Sequence, residues 1–214
     1  DDVAHHYELI GGRSPLNELT FRQAEKLRAA IPLPVYVGMR NWAPYLADTL
    51  AQMASDGVRR AIGLILSPHA TEASRERYIE TVTAGCDALG SRAPEIVYTG
   101  MWHLHPRFID AVTAGVEAAL ASIPVERRQY APLVFTAHSV PVAMAEGSPY
   151  VAEITASAGA VAERLGSAHW QVAYQSRSGS PHDPWLEPDI CEVVRALARD
   201  GARDLVVVPI GFVC

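Results

Sequence analysis

The sequence has little cysteine, little positive charge and no long apolar run, and each shortage excludes a class of protein. Its three cysteines, Cys86, Cys191 and Cys214, are too widely spaced to predict a disulfide framework or a CxxC zinc site. The 18 lysines and arginines are outnumbered by 24 aspartates and glutamates, which argues against a nucleic-acid partner because phosphates require a basic surface. No stretch approaches the ~18 apolar residues of a transmembrane segment, and no signal peptide is recognisable, so we expect a reducing, cytoplasmic location.

Several nucleotide-binding and catalytic motifs are also missing. No GxGxxG follows the first predicted strand, no GxxxxGK[ST] loop occurs, and no G-x-S-x-G surrounds any serine. The glycine turn at 11–17 could hold an anion. The spacing favours the other interpretation, in which it begins the helix that carries Thr20–Ala30, with Ser14 or Asn17 as its cap.

Short β-branched runs alternate with longer, alanine-rich segments along the chain. Continuous apolar strands joined by helical crossovers predict an α/β fold with parallel sheets covered on both faces. The polar stretch 122–129 is the best linker, so we expect two Rossmann-like lobes, 1–122 and 130–214, with a cleft between them. The predicted strands are 35–39, 61–66, 95–99, 133–136, 170–175 and 205–209, and the predicted helices are 44–56, 72–89, 106–121, 150–165 and 188–200.

Imidazoles, tryptophans and hydroxyls cluster where the predicted strands end, as in the stretch VFTAHSVP, which places His138 and Ser139 after an apolar run. Imidazole is a good ligand for iron or zinc and tryptophan offers a stacking face, so this combination suits a flat aromatic ligand and a transition metal. The competing interpretation is that His138 is an ordinary hydrogen-bonded histidine of the fold. A serine nucleophile is disfavoured, because adjacent residues such as His138 and Ser139 rarely point together.

Several blocks of the sequence resemble the ferrochelatase family, whose members insert ferrous iron into a porphyrin. The strongest is the histidine motif at 136–141, followed by Gly-Ser-Pro-Tyr at 147–150. The others occur in family order over essentially the whole chain, at 7–16, 37–44, 66–69, 174–179, 184–188 and 208–213.

The resemblance implies two Rossmann-like lobes with the porphyrin in the cleft. It implies that His138 lies at the metal, either as an iron ligand or as the acceptor of a pyrrole proton. It further assigns porphyrin contacts to five residues: Tyr7, Ser14, His69, His103 and Trp185. Some relatives have tyrosine at the position of His103.

The resemblance also has implications for the partner residue of His138, for the metal and for the choice of porphyrin. The partner glutamate of the family follows the segment that ends here at Cys214, so we expect this chain to be an internal fragment of a longer enzyme. Ferrous iron is a substrate, and the three cysteines neither establish nor exclude an iron–sulfur cluster. The motifs at 175–179 and 184–188 most resemble those of relatives that use coproporphyrin III, with protoporphyrin IX as the other candidate. A non-catalytic porphyrin or haem carrier and a sirohydrochlorin-type cobalt or nickel chelatase are the alternatives.

Overall fold

The computed structural model describes residues 8, 11–178, 180 and 182–213, without the side chains of residues 72 and 73. These residues form two compact units. The first contains the described residues up to Gly63 together with 78–97, and the second contains 64–77 and 98–213. Each unit therefore combines separate stretches of the chain. The two lobes expected at 1–122 and 130–214 stay a prediction.

The first unit is built mainly from helices. Helix α1 spans Leu16–Ala30, α2 spans Leu46–Ser55 and α3 spans Arg77–Leu89, the last preceded in the chain by a π-helical turn at Glu72–Glu76. Strands β1, Arg60–Gly63, and β2, Glu95–Tyr98, are hydrogen-bonded neighbours. Leu50 and Met53 of α2 are buried, because the helix turns its apolar side inward. The predicted segments 44–56, 61–66, 72–89 and 95–99 all have counterparts here.

The strand predicted at 35–39 is wrong, since no strand is formed there among the described residues. Side chains bind the carbonyl groups that a neighbouring strand would otherwise bind. The Arg28 guanidinium donates to the Val35 carbonyl at 2.7 and 3.1 Å, and the Thr49 hydroxyl donates to the Val37 carbonyl at 2.9 Å. The β-branched run therefore forms no strand, and Met39 alone makes an isolated bridge, with Tyr45.

Ser14 and Asn17 both lie at the beginning of α1, where one of them was expected to cap the helix. The Ser14 hydroxyl accepts the Leu16 amide at 3.3 Å, whereas Asn17 lies inside the helix and donates to the Ala43 carbonyl. The N-cap of α1 is Pro15, which is without a side-chain cap, so capping by either Ser14 or Asn17 is wrong.

The second unit contains a three-stranded parallel sheet. Strand β3, Leu133–His138, lies between β4, Trp170–Gln175, and β5, Val206–Val208. The register places Leu133 opposite Trp170 and Val206, and His138 opposite Gln175. The helices in this unit include α4, Pro106–Ala121; α5, Val125–Arg128; α6, Val142–Glu146; α7, Tyr150–Leu165; and α8, Ile190–Arg199.

Helices cover both faces of this sheet. Leu133 and Phe135 of β3 pack in one cluster with residues of α4 and α7, while Val134 packs in a second cluster with Val193 of α8. Side chains alternate along a strand, so burial of consecutive residues means that both faces are covered. The predicted α/β fold, with parallel sheets flanked by helices, is confirmed.

The segment 122–129 was predicted to be a polar linker. It includes the short helix α5, and the Arg128 guanidinium donates to the carbonyls of Ile123 and Ala121 at 2.7 and 2.8 Å. These bonds hold the segment against the end of α4.

No helix in the described part of the chain is long and apolar enough to cross a membrane.

Candidate functional site

His138 ends the central strand of the second unit. The five residues before it in β3 are buried, while His138 itself is half-buried. Burial lowers the pKa of its imidazole, which is therefore neutral at pH 7 and carries one ring nitrogen with a free lone pair. A neutral imidazole in this position can bind a metal ion or accept a proton.

The backbone around His138 is held from several directions. The Tyr150 hydroxyl donates to the His138 carbonyl at 3.0 Å, and the Ser139 amide donates to the Gln175 carbonyl at 2.7 Å. Burial raises the pKa of Tyr150, so its hydroxyl stays a donor. The Ser139 hydroxyl, in a residue that is 3% exposed, donates to the Leu186 carbonyl at 3.0 Å. The Ser139 hydroxyl thus takes part in holding the fold.

The segment after β4 returns to pair with the chain beyond His138. Trp185 forms an antiparallel bridge with Pro141, and the Leu186 amide donates to the Val140 carbonyl at 3.0 Å. Trp185 is 9% exposed, and its indole N–H donates to the Ser180 carbonyl at 3.1 Å. These contacts give Trp185 a role in holding this segment, and its expected porphyrin contact stays a prediction.

A second cluster of polar side chains lies in the same unit. It brings together two predicted residues, His69 and His103, whose ring centroids are 6.3 Å apart. His69 is 1% exposed, and its Nε2 lies 3.0 Å from the Ser157 hydroxyl oxygen. The same hydroxyl lies 2.9 Å from the His103 carbonyl and 3.0 Å from the Glu153 carbonyl. Ser157 therefore joins both histidine-bearing segments to α7.

Glu153 is the carboxylate of this cluster. Its Oε2 accepts the Ala70 amide at 2.7 Å, and its Oε1 lies 3.6 Å from Nδ1 of His103. The second distance is longer than a hydrogen bond, so it is an electrostatic contact between partly buried groups. Glu153 thus faces the segments of both histidines.

The contacts of Ser157 favour one position for the ring proton of His69. Both carbonyls near Ser157 can only accept, so the single Ser157 hydroxyl proton goes to a carbonyl, and we assign the His69 proton to Nε2, which donates to the hydroxyl. Burial, and then the nearby His103, lower the pKa of His69 to about 4. His69 is therefore neutral at pH 7. Its burial leaves no surface for a ligand to touch in this arrangement, and its expected porphyrin contact stays a prediction.

Two more residues were predicted to contact the porphyrin, Ser14 and Tyr7. Ser14 belongs to the first unit, and Tyr7 lies outside the described residues, so the porphyrin contacts expected of both stay predictions. Cys86 is partly buried and Cys191 is exposed, whereas Cys214 is outside the described residues. Within the described part of the chain, no group of three or more histidine, cysteine or acidic side chains is arranged to hold a metal ion.

The site residues predicted from the sequence did not include three residues of α7: Tyr150, Glu153 and Ser157. Tyr150 binds the end of β3, and the other two bind the segments that follow β1 and β2 in the chain. Their spacing of three and four residues puts them on one face of the helix. The available signal was the presence of polar residues on the core-facing side of an alanine-rich helix. That signal identifies the face, but it does not identify the partners.

Sequence comparisons with known proteins identify the family of the chain. A model of the ferrochelatase family matches residues 1–214. The coproporphyrin III ferrochelatase of Mycolicibacterium paratuberculosis is 42% identical over 216 residues, covering 100% of this chain and 63% of the relative. The proteins of the same name from Frankia alni and Streptomyces coelicolor are 44% and 40% identical over 224 and 235 residues, covering 99% of this chain and 58% and 63% of the relatives.

This chain thus spans 58–63% of the length of these relatives. The family predicted from the histidine motif is confirmed by the match over the whole chain. The chain belongs to the ferrochelatase family.

Proposed function

We propose that the protein containing this chain inserts ferrous iron into a porphyrin in haem biosynthesis, with His138 as its catalytic residue. The observation that carries the proposal is the family match over residues 1–214, which includes a neutral, half-buried histidine at the end of the central strand. Ferrous iron and the porphyrin are both substrates in this reaction.

The chemistry explains why a neutral imidazole is useful. Two pyrrole N–H protons must leave as Fe²⁺ enters, and the metal keeps its oxidation state, so one dication replaces two protons. An imidazole with a free lone pair can accept a leaving proton or replace a water molecule on the incoming iron. His138 can do either because burial keeps it unprotonated at pH 7.

We propose coproporphyrin III as the porphyrin substrate. The support is that three relatives at 40–44% identity are named coproporphyrin III ferrochelatases. The motifs at 175–179 and 184–188 gave the same preference from the sequence. Coproporphyrin III carries four propionates whereas protoporphyrin IX carries two, so discrimination requires groups that recognise the additional carboxylates. A cytoplasmic location stays a prediction, and the presence of an iron–sulfur cluster stays open.

The test is anaerobic Fe²⁺ insertion by the full-length gene product, followed by absorbance with coproporphyrin III and protoporphyrin IX in parallel. We expect a higher kcat/KM for coproporphyrin III. A preference for protoporphyrin IX would reverse the substrate assignment but keep the reaction. Tight porphyrin binding without turnover would favour the carrier, and turnover of sirohydrochlorin with cobalt or nickel would favour the other chelatase.

A further inference from the structure

One face of α7 carries three polar side chains towards the interior. Tyr150, Glu153 and Ser157 are each less than 10% exposed, and they follow one another at helical spacing. Burying polar groups is unfavourable unless each finds a partner, and apolar residues would fill such a face at lower cost. The partners of these three residues therefore indicate what the face does.

Each of the three residues binds a different part of the second unit. The Tyr150 hydroxyl binds the His138 carbonyl at the end of β3 at 3.0 Å. The Glu153 carboxylate binds the Ala70 amide at 2.7 Å, in the segment that follows β1 in the chain. The Ser157 hydroxyl lies 2.9 Å from the His103 carbonyl, in the segment that follows β2. A single helix thus fixes three segments that carry histidines.

Ring contacts connect the two ends of this face. The Tyr150 ring packs edge-on against His69, with centroids 6.5 Å apart, and His69 in turn contacts Ser157 through Nε2 at 3.0 Å. Contacts run continuously from Ser157 through His69 to Tyr150 and the His138 backbone, so this is the route by which a shift at Ser157 would reach His138. Packed interiors transmit such shifts because few voids are available to absorb them.

We propose that Tyr150 and Ser157 are positioning residues of the metal-insertion reaction: Tyr150 acts through His138, and Ser157 acts through His69 and His103. This inference rests on the proposed function. Neither hydroxyl is placed in contact with substrate, and each fixes the backbone or ring of a histidine. Small errors in the placement of a reacting group cost large factors in rate, so the loss of one hydroxyl is expected to lower kcat more than it raises KM.

The test removes one hydroxyl at a time from the full-length protein. Tyr150→Phe and Ser157→Ala keep most of each side chain, and the matched controls are Tyr130→Phe, at an exposed tyrosine, and Thr155→Ala, at an exposed hydroxyl of the same helix. We expect kcat for porphyrin metallation to fall about tenfold in the two test variants, with KM for the porphyrin within about twofold, and no change in the controls.

Histidine NMR gives a second measurement that does not depend on turnover. With ¹⁵N-labelled histidine, Tyr150→Phe should shift the His138 ring resonances, and Ser157→Ala should remove the Nε2–H signature of His69. Unchanged histidine resonances in both folded variants would overturn the inference, as would kcat equal to that of the controls. If the unmodified protein inserts no metal, the proposed function fails, and the resonance shifts then decide only whether the two hydroxyls hold the histidines in place.

Discussion

His138 and His69 are the same residue type in the same unit, and their surroundings give them different capacities. His138 is half-buried, and within the described residues its ring has no hydrogen-bond partner. His69 is 1% exposed, and its ring is held by Ser157 and surrounded by His103, Phe108 and Tyr150. Exposure and ring partners, more than position after a strand, therefore separate a histidine that a ligand can reach from one that is held inside the fold.

The largest expected effect is on activity at His138. His138→Ala should lower the rate of metal insertion by about 100- to 10,000-fold, because it removes the group that we propose accepts a proton or binds the metal. The matched control is His169→Ala, since His169 is exposed and precedes β4, at the opposite end of the strands from His138. Metallation rates of both variants check this prediction. Equal metallation rates in His138→Ala and His169→Ala would show that His138 is not needed for the reaction.

The pH dependence of stability should report on His69. Its pKa is about 4 in the folded protein against 6.5 when unfolded, so the unfolded state binds more protons between these values. The free energy of unfolding should therefore fall as the pH falls from about 6.5 to 4, by up to about 3 kcal/mol from this group. Urea unfolding of the unmodified protein and His69→Asn between pH 7 and pH 4 checks this. If the unfolding free energy of His69→Asn falls with pH as steeply as that of the unmodified protein, the effect belongs to another residue.

Ser139 offers a finer test of the region around His138. Ser139→Ala leaves the partly buried Leu186 carbonyl without this donor and should cost about 1 kcal/mol of unfolding free energy. Metal insertion should continue, since the hydroxyl is committed to the fold. Denaturant unfolding measures the free energy of unfolding, and a metallation assay on the same preparation measures the rate of metal insertion. Loss of activity with stability unchanged would show that the Ser139 hydroxyl takes part in the chemistry.

The smallest expected effect concerns the packing behind His138. Gly211 lies against β3, and a Cβ added there would be 3.1 Å from both Cα and Cβ of Ala137. Gly211→Ala should therefore cost about 1 kcal/mol, because β3 is covered on both faces and gives way reluctantly. Gly115→Ala, in α4, meets nothing within 4 Å and should be neutral or stabilising by up to about 1 kcal/mol. Thermal unfolding of the two variants checks this. If Gly211→Ala costs no more stability than Gly115→Ala, then β3 accommodates the added methyl group without cost.

Segments with strong local signals could be predicted from the sequence. Helix α7 was expected at 150–165 and β4 at 170–175, and both occupy those residues. The strand expected at 35–39 failed because a strand needs a partner, and residue composition does not reveal one. His138 was identified from a local motif. The cluster of His69, Ser157 and Glu153 depends on contacts between distant segments, which periodicity cannot reveal.

The bond between His69 and Ser157 also has a consequence for the order of folding. It joins residues 88 positions apart, and the intervening chain includes residues 78–97, which belong to the other unit. Contacts across so long a stretch form slowly, because the loop must close before the bond can stabilise anything. During refolding we therefore expect helical signal to return first and the buried histidine cluster last. Recovery of activity should follow that final step rather than the return of secondary structure.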